Sequence, residues 1–240
     1  MATISERISR LKDTIERACS RAGRSRSEIK LVVVTKSVDI EAIKEVVSLG
    51  LTELGENHVQ RLKKVSAQIA ESLERGEFKA AAAKKINWHM IGHLQRNKVT
   101  AVLPIVSLIH SVDTLRLAEE INNSAARANL CPRVLLQLNT SMESQKYGVP
   151  TGAAMHLVEQ IETLPNLKLV GLMTMAPLTH NKNTVRACFA QARELFMEMK
   201  GEKIVGPEFT ELSMGMSSDY EIAIEEGTTI LRIGSAIFAG

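Results

Sequence analysis

Short apolar runs rich in β-branched residues alternate with stretches of helical periodicity along the whole 240-residue chain. The strand-like runs are Leu31–Thr35, Leu51–Leu54, Ile86–Ile91, Ser107–Ser111, Arg133–Asn139, Lys168–Met173, Phe209–Ser213 and Ile230–Ile233. The helix-like stretches between them are Ile40–Leu49, Val59–Leu73, Asn97–Leu103, Thr114–Ala128, Ala153–Thr163, Thr184–Lys200 and Tyr220–Glu226. Several runs, Leu31-Val32-Val33-Val34 among them, are continuously apolar, as strands covered on both faces are. Alternating strand and helix implies right-handed crossovers and a parallel sheet. Eight strands favour closure into a (β/α)8 TIM barrel over an open doubly wound sheet. Ahead of the first strand, Ile4, Ile8, Leu11, Ile15 and Ala18 recur at helical spacing and predict an amphipathic helix packed on the barrel. Glu6, Asp13 and Glu16 in the same stretch argue against a transit peptide.

Local punctuation agrees. Gly50 and Gly227 read as helix stops, Asp113 as an N-cap, and Arg116 with Glu120 as an i,i+4 pair. Ala80–Ala83 with Lys84-Lys85 reads as an exposed connection. Without a long linker or a shift in composition, residues 1–240 are expected to form one domain.

Composition narrows the function classes. Thirty basic and 27 acidic side chains leave a net charge of +3, and aromatics are 3% of the chain, so a nucleic-acid partner is not expected. The three cysteines are widely spaced with no CxxC pair, which argues for thiols in a reducing, cytoplasmic setting and against structural zinc. No apolar run approaches the roughly 20 residues of a membrane helix.

In such barrels the chemistry sits at the C-terminal ends of the strands. The first strand ends there in Lys36, where partial desolvation would favour the neutral, nucleophilic amine that imine formation needs. The alternative is a lysine that points into water. The seventh and eighth strands run into Ser213-Met214-Gly215-Met216-Ser217 and Gly234-Ser235. Their glycines let backbone N–H groups approach an anion, Ser213, Ser217 and Ser235 add hydroxyls, and loops at this place form a phosphate site in many barrels. Arg232 shares a strand face with Gly234 and could meet a ring nitrogen or a carboxylate, or else pair inside the barrel. His89 and His93 share a face but lack further ligands for a metal. Met173, Met175, Met214 and Met216 read as packing, Arg61, Lys63 and Lys64 as a solvated helix face, and Glu208 and Glu211 as surface charges.

Val34-Thr35-Lys36, Glu53-Leu54-Gly55-Glu56-Asn57, Trp88 to Gln95, Gly171 to Pro177, Leu212 to Ser217 and Arg232 to Phe238 together closely resemble the pyridoxal phosphate homeostasis protein family, related in fold to the barrel domain of alanine racemase. The resemblance spans essentially the whole chain. It implies pyridoxal 5′-phosphate (PLP) held as a Schiff base on Lys36 and a phosphate site at Ser213 to Ser217 and Gly234-Ser235. It also implies that Arg232 faces the pyridine nitrogen and that Asn57 lines the cofactor. Arg96, where many relatives carry a smaller residue, and the ending at Ala239-Gly240 depart from the pattern. The expected role is a monomeric PLP carrier in vitamin B6 homeostasis, with PLP-dependent apo-enzymes as candidate recipients. A PLP-dependent amino-acid racemase is the alternative; the racemases add a second domain for which the barrel leaves no residues. A sugar-phosphate enzyme using Lys36 as an aldolase-type amine is a third reading.

Overall fold

The stripe of apolar residues at the start of the chain forms α1 (Ile4–Arg21), which buries Ile8, Leu11, Ile15 and Ala18. A reciprocal capping box between Thr3 and Glu6 starts it. In the computed structural model, which describes residues 2–78, 86–141, 143, 145 and 147–239, nine strands and nine α-helices follow one another. After α1 come β1 (Lys30–Val34), α2 (Ile40–Ser48), β2 (Glu53–Glu56), α3 (Val59–Glu74), β3 (Asn87–Met90), α4 (Val99–Val102), β4 (Val106–Val112), α5 (Leu115–Ala128) and β5 (Arg133–Asn139). Then follow β6 (Val149–Pro150), α6 (Thr151–Glu162), β7 (Lys168–Thr174), α7 (Lys182–Gly201), β8 (Glu211–Ser213), α8 (Tyr220–Glu225), β9 (Ile230–Ile233) and α9 (Ser235–Phe238).

All strand pairs are parallel. The order β4-β3-β2-β1-β9-β8-β7-β5 closes through pairing of β4 with β5, while the two-residue β6 lies outside the ring, along the end of β5. The closed ring is an eight-stranded TIM-like barrel, as the alternation predicts. Val32, Leu108, Leu135, Val170, Met173 and Ile230 plug its interior. A larger apolar layer, including Ile43, Val46, Leu62, Ile69, Leu117, Ile121, Val158 and Phe189, glues the helices to its outside. Among the described residues no helix is long and apolar enough to cross a membrane.

Several boundaries differ from the sequence reading for physical reasons. The second strand starts at Glu53 and includes Glu56, because both carboxylates have partners inside the fold: His89 and Asn87 for Glu53, Thr35 and Arg61 for Glu56. Asp113 is not the N-cap of α5; Thr114 takes that role, its Oγ1 accepting from Leu117 N–H at 3.3 Å, while Asp113 turns to His93. Glu120 pairs with Arg127 and Ser124 in place of Arg116. Glu208 meets Lys168 on the surface, but Glu211 is a half-buried hub at the lower mouth, bridging Lys30 at 2.9 Å and Arg133 at 3.1 Å. Gly50 and Gly227 adopt left-handed φ values of 83° and 92° just past α2 and α8. The Ala80–Lys85 connection and Gly240 lie outside the described residues.

Candidate functional site

Strand alternation puts residues 30, 32, 34 and 36 on one side of β1, and Val32 of this set lies in the interior plug, so Lys36 emerges at the upper mouth. The turn carrying it is built with care. Val38 N–H closes onto Thr35 O at 3.1 Å, and Ser37 takes φ +62°, uncommon for a residue with a side chain. Buried Thr35 donates its hydroxyl to Glu56 Oε1 at 2.6 Å. Arg61 donates to the same Oε1 at 3.2 Å, to Thr35 O at 3.0 Å and to Val38 O. Arg61 is therefore no solvated face residue: it clamps both ends of the Lys36 turn. Its place in the first turn of α3, five residues after Glu56 at the end of β2, is the signal that could have revealed it. Lys36 itself is exposed at the rim, so neighbouring packing does not desolvate it as the sequence reading supposed.

Lys36, Asn57, Met216, Ser217, Arg232, Gly234 and Ser235 open into one cavity of about 690 Å³, completed by Val34, Ile91, Gly92, His93, Gln137, Tyr147, Met175, Leu178 and Ser218. Met175 and Met216, read as packing, are thus cavity wall, whereas Met173 and Met214 are buried. Ser213, Met214 and Gly215, expected to contact a ligand, stand behind the wall and do not line this cavity. Ser213 is fully buried, with its Oγ engaged by Arg232 and His110. Met214 N–H is taken by Ile230 O at 3.1 Å. Gly215, at φ +95°, is required by packing, since a Cβ there would lie 2.6 Å from that of Ala223. The two loops are tied where Ala236 N–H donates to Ser217 Oγ at 3.1 Å.

Arg232 is 4% exposed and donates to Ser213 Oγ at 2.6 Å and Thr174 O at 2.9 Å. Burial draws its pKa down to about 10, with Asp219 opposing, so it remains a cation at neutral pH. Burial raises the Asp219 carboxyl above its ordinary value, against the Met216 N–H bond and the Arg232 charge. At the mouth His93 stacks on Tyr147 with centroids 4.0 Å apart, and its Nδ1 lies 3.4 Å from Asp113, whose carboxyl burial pushes up. His89 does not join His93: both its ring nitrogens are engaged deep in the barrel, by Glu53 and His110. Asn57 Oδ1 is buried at the cavity wall without a hydrogen-bond partner among the described residues. A larger, more open groove of about 890 Å³ adjoins through His93 and Tyr147 and carries Arg96 and Arg116. It contains neither the lysine nor the buried arginine, so the smaller cavity is the candidate site.

Comparison with known proteins shows the family and the fold. The family model of the alanine racemase N-terminal domain matches residues 8–240. The pyridoxal phosphate homeostasis protein of Aquifex aeolicus is 41% identical over 233 residues, covering 97% of this chain and 96% of its own length. The chain belongs to the pyridoxal phosphate homeostasis protein family. Within that family, the structure of PipY from Synechococcus elongatus PCC7942 with PLP bound superposes with a TM-score of 0.76 at 31% identity, covering 94% of this chain and all (100%) of that one. Alanine racemase of Clostridium difficile 630 aligns with a TM-score of 0.69 at 12% identity, over 96% of this chain and 56% of that one, which shows the shared barrel fold.

Proposed function

We propose that this chain binds PLP in the 690 Å³ cavity, with the Lys36 amine supplying a reversible imine link, and serves as a carrier in PLP homeostasis. The observation that carries this reading is the convergence on one cavity of an exposed lysine with no ion pair among the described residues, a buried arginine and two serine-bearing loops. The donors suit the group. Lys36 answers an aldehyde, and Ser217, Ser235 and the Gly234 backbone suit a phosphate. Arg232 suits a ring nitrogen, and the orphaned Asn57 Oδ1 awaits a donor. PLP bound in its relative PipY supports the same reading, with PLP-dependent apo-enzymes as the recipients and the cytoplasm as the setting.

Bound there, PLP supplies an electrophilic aldehyde and, in enzymes, an electron sink. Arg232 works against the second use: a cation that already donates to Ser213 and Thr174 disfavours a proton on a ring nitrogen beside it. That favours a carrier over a catalyst. A racemase is the second reading, and the stacked pair of His93 and Tyr147 at the mouth is what favours it, as acid/base groups on the cavity wall. Incubating the PLP-loaded chain with L-alanine and L-serine separates the two. The carrier reading expects D-isomer formation no faster than with free PLP, and turnover many times faster contradicts it.

A further inference from the structure

A file of polar side chains threads the barrel beside its apolar plug. Glu53 opens into a cavity of about 430 Å³ at the lower mouth, shared with Lys30, Asn87 and Arg133. From Glu53 Oε2 the contacts run to His89 Nε2 at 2.7 Å, then from His89 Nδ1 to His110 Nε2 at 2.9 Å. They continue from His110 Nδ1 to Ser213 Oγ at 3.0 Å and from Ser213 Oγ to Arg232 Nη1 at 2.6 Å, at the upper cavity. The two ends fix the direction. A guanidinium can only donate and a carboxylate can only accept. Burial raises the Glu53 pKa, but hydrogen bonds from His89 and Asn87 and the nearby Lys30 charge outweigh it and hold the group below its ordinary value.

Each of the four links needs one proton, and one each from Arg232, Ser213, His110 and His89 supplies them when both imidazoles are neutral. Ser213 then accepts from Arg232 and donates to His110 Nδ1. His110 donates through Nε2 to His89 Nδ1, and His89 donates through Nε2 to Glu53. No atom of the file in use is left without a partner. The reverse polarity needs a second proton on His89 and strips the Ser213 hydroxyl of its acceptor. Burial, reinforced by His89, Arg232 and Lys30, holds the His110 pKa well below its ordinary value, so a charge is not expected there. The other charges facing the file are Lys30 and Arg133, both on Glu211 below, and Asp219 beside Arg232.

We propose that Glu53, His89, His110 and Ser213 are positioning residues, a one-way hydrogen-bonded file that fixes Arg232 as a donor cation facing the upper cavity, with the carboxylate that ends the file at the opposite end of the barrel. Ser213 is thereby withheld from any phosphate, which is left to Ser217 and Ser235. The effect on a ring nitrogen rests on the PLP reading above; the polarity of the file does not.

The polarity is read by ¹⁵N NMR of histidine-labelled, ligand-free chain at neutral pH. His89 and His110 should each carry a single ring proton, on Nε2. A proton on His110 Nδ1, or a doubly protonated His89, overturns the file. With PLP bound, Glu53→Gln lies outside the ligand cavity and should keep full cofactor stoichiometry. It should lower the pH midpoint of the visible absorbance band by several tenths of a unit, because the negative charge that ends the file is lost and a proton on the ligand becomes costlier. An unmoved midpoint overturns the coupling. A wild-type chain that takes up no PLP would refute the proposed function while the imidazole signals still decide the file.

Discussion

Lys30 and Lys36 lie on the same side of one strand register, at the lower and upper mouths of the barrel. Lys30 Nζ is 2.9 Å from Glu211, a carboxylate that also receives Arg133 and the Thr229 hydroxyl. Lys36 makes no hydrogen bond or ion pair among the described residues, and the structure spends its effort on the turn that aims it. One amine is consumed by the fold. The other is held ready, with its supports placed at one remove. The lower mouth is a closed electrostatic cluster, while the upper mouth keeps an amine and hydroxyls at a cavity, with an unsatisfied amide oxygen buried in its wall.

The sharpest way to break this comparison is to exchange the fates of the two lysines. Lys36→Ala should abolish the borohydride-fixed PLP adduct, from about one per chain to near none, with stability changed by less than about 0.5 kcal/mol, since the side chain is exposed. Lys30→Ala should keep the adduct. Next in size, Arg61→Met strands the fully buried Glu56 carboxylate; denaturant unfolding should register a loss of about 2–3 kcal/mol, with slower adduct formation at Lys36. Arg61→Lys, which keeps the charge but not the fork, should recover part of the stability and less of the rate.

Lys30→Ala should itself cost about 1–2 kcal/mol in the same assay, less than a fully buried pair because Arg133 still holds Glu211. The smallest effect is on pH dependence. Burial raises the Glu211 pKa, but Lys30 and Arg133 outweigh it and hold the group below the ordinary 4.5. Its contribution is therefore complete above that value and is lost as pH falls through the lowered native value. Glu211→Gln should flatten this acid limb of the stability curve; an unchanged limb would mean the lower cluster is not closed as described.

The barrel was legible because its strands and helices carry different periods, and eight apolar runs survive independent reading. Reading the strand ends singled out Lys36, Arg232, Ser217 and Gly234-Ser235, and these residues line one cavity. What escaped depends on partners distant in sequence. Arg61 reads as one of three basic residues on a helix until Glu56 and the Thr35 carbonyl are placed beside it. Glu211 reads as surface until β1 and β5 bring Lys30 and Arg133 to it. His110 gave no signal, since a histidine in an apolar run reveals its role only when the closed ring sets it between β3 and β8. That residues 213 to 215 lie behind the cavity wall was hidden for the opposite reason: a glycine-bearing loop looks alike whether it faces a cavity or a helix.

The central claim is that Lys36 is the amine that the upper cavity presents to PLP. Loading the chain with PLP, reducing with borohydride and mapping the pyridoxyl group by peptide mass spectrometry tests it directly. About one label per chain, confined to the peptide containing Lys36, is the predicted result. A label on another lysine, or spread over many at substoichiometric levels, would contradict it.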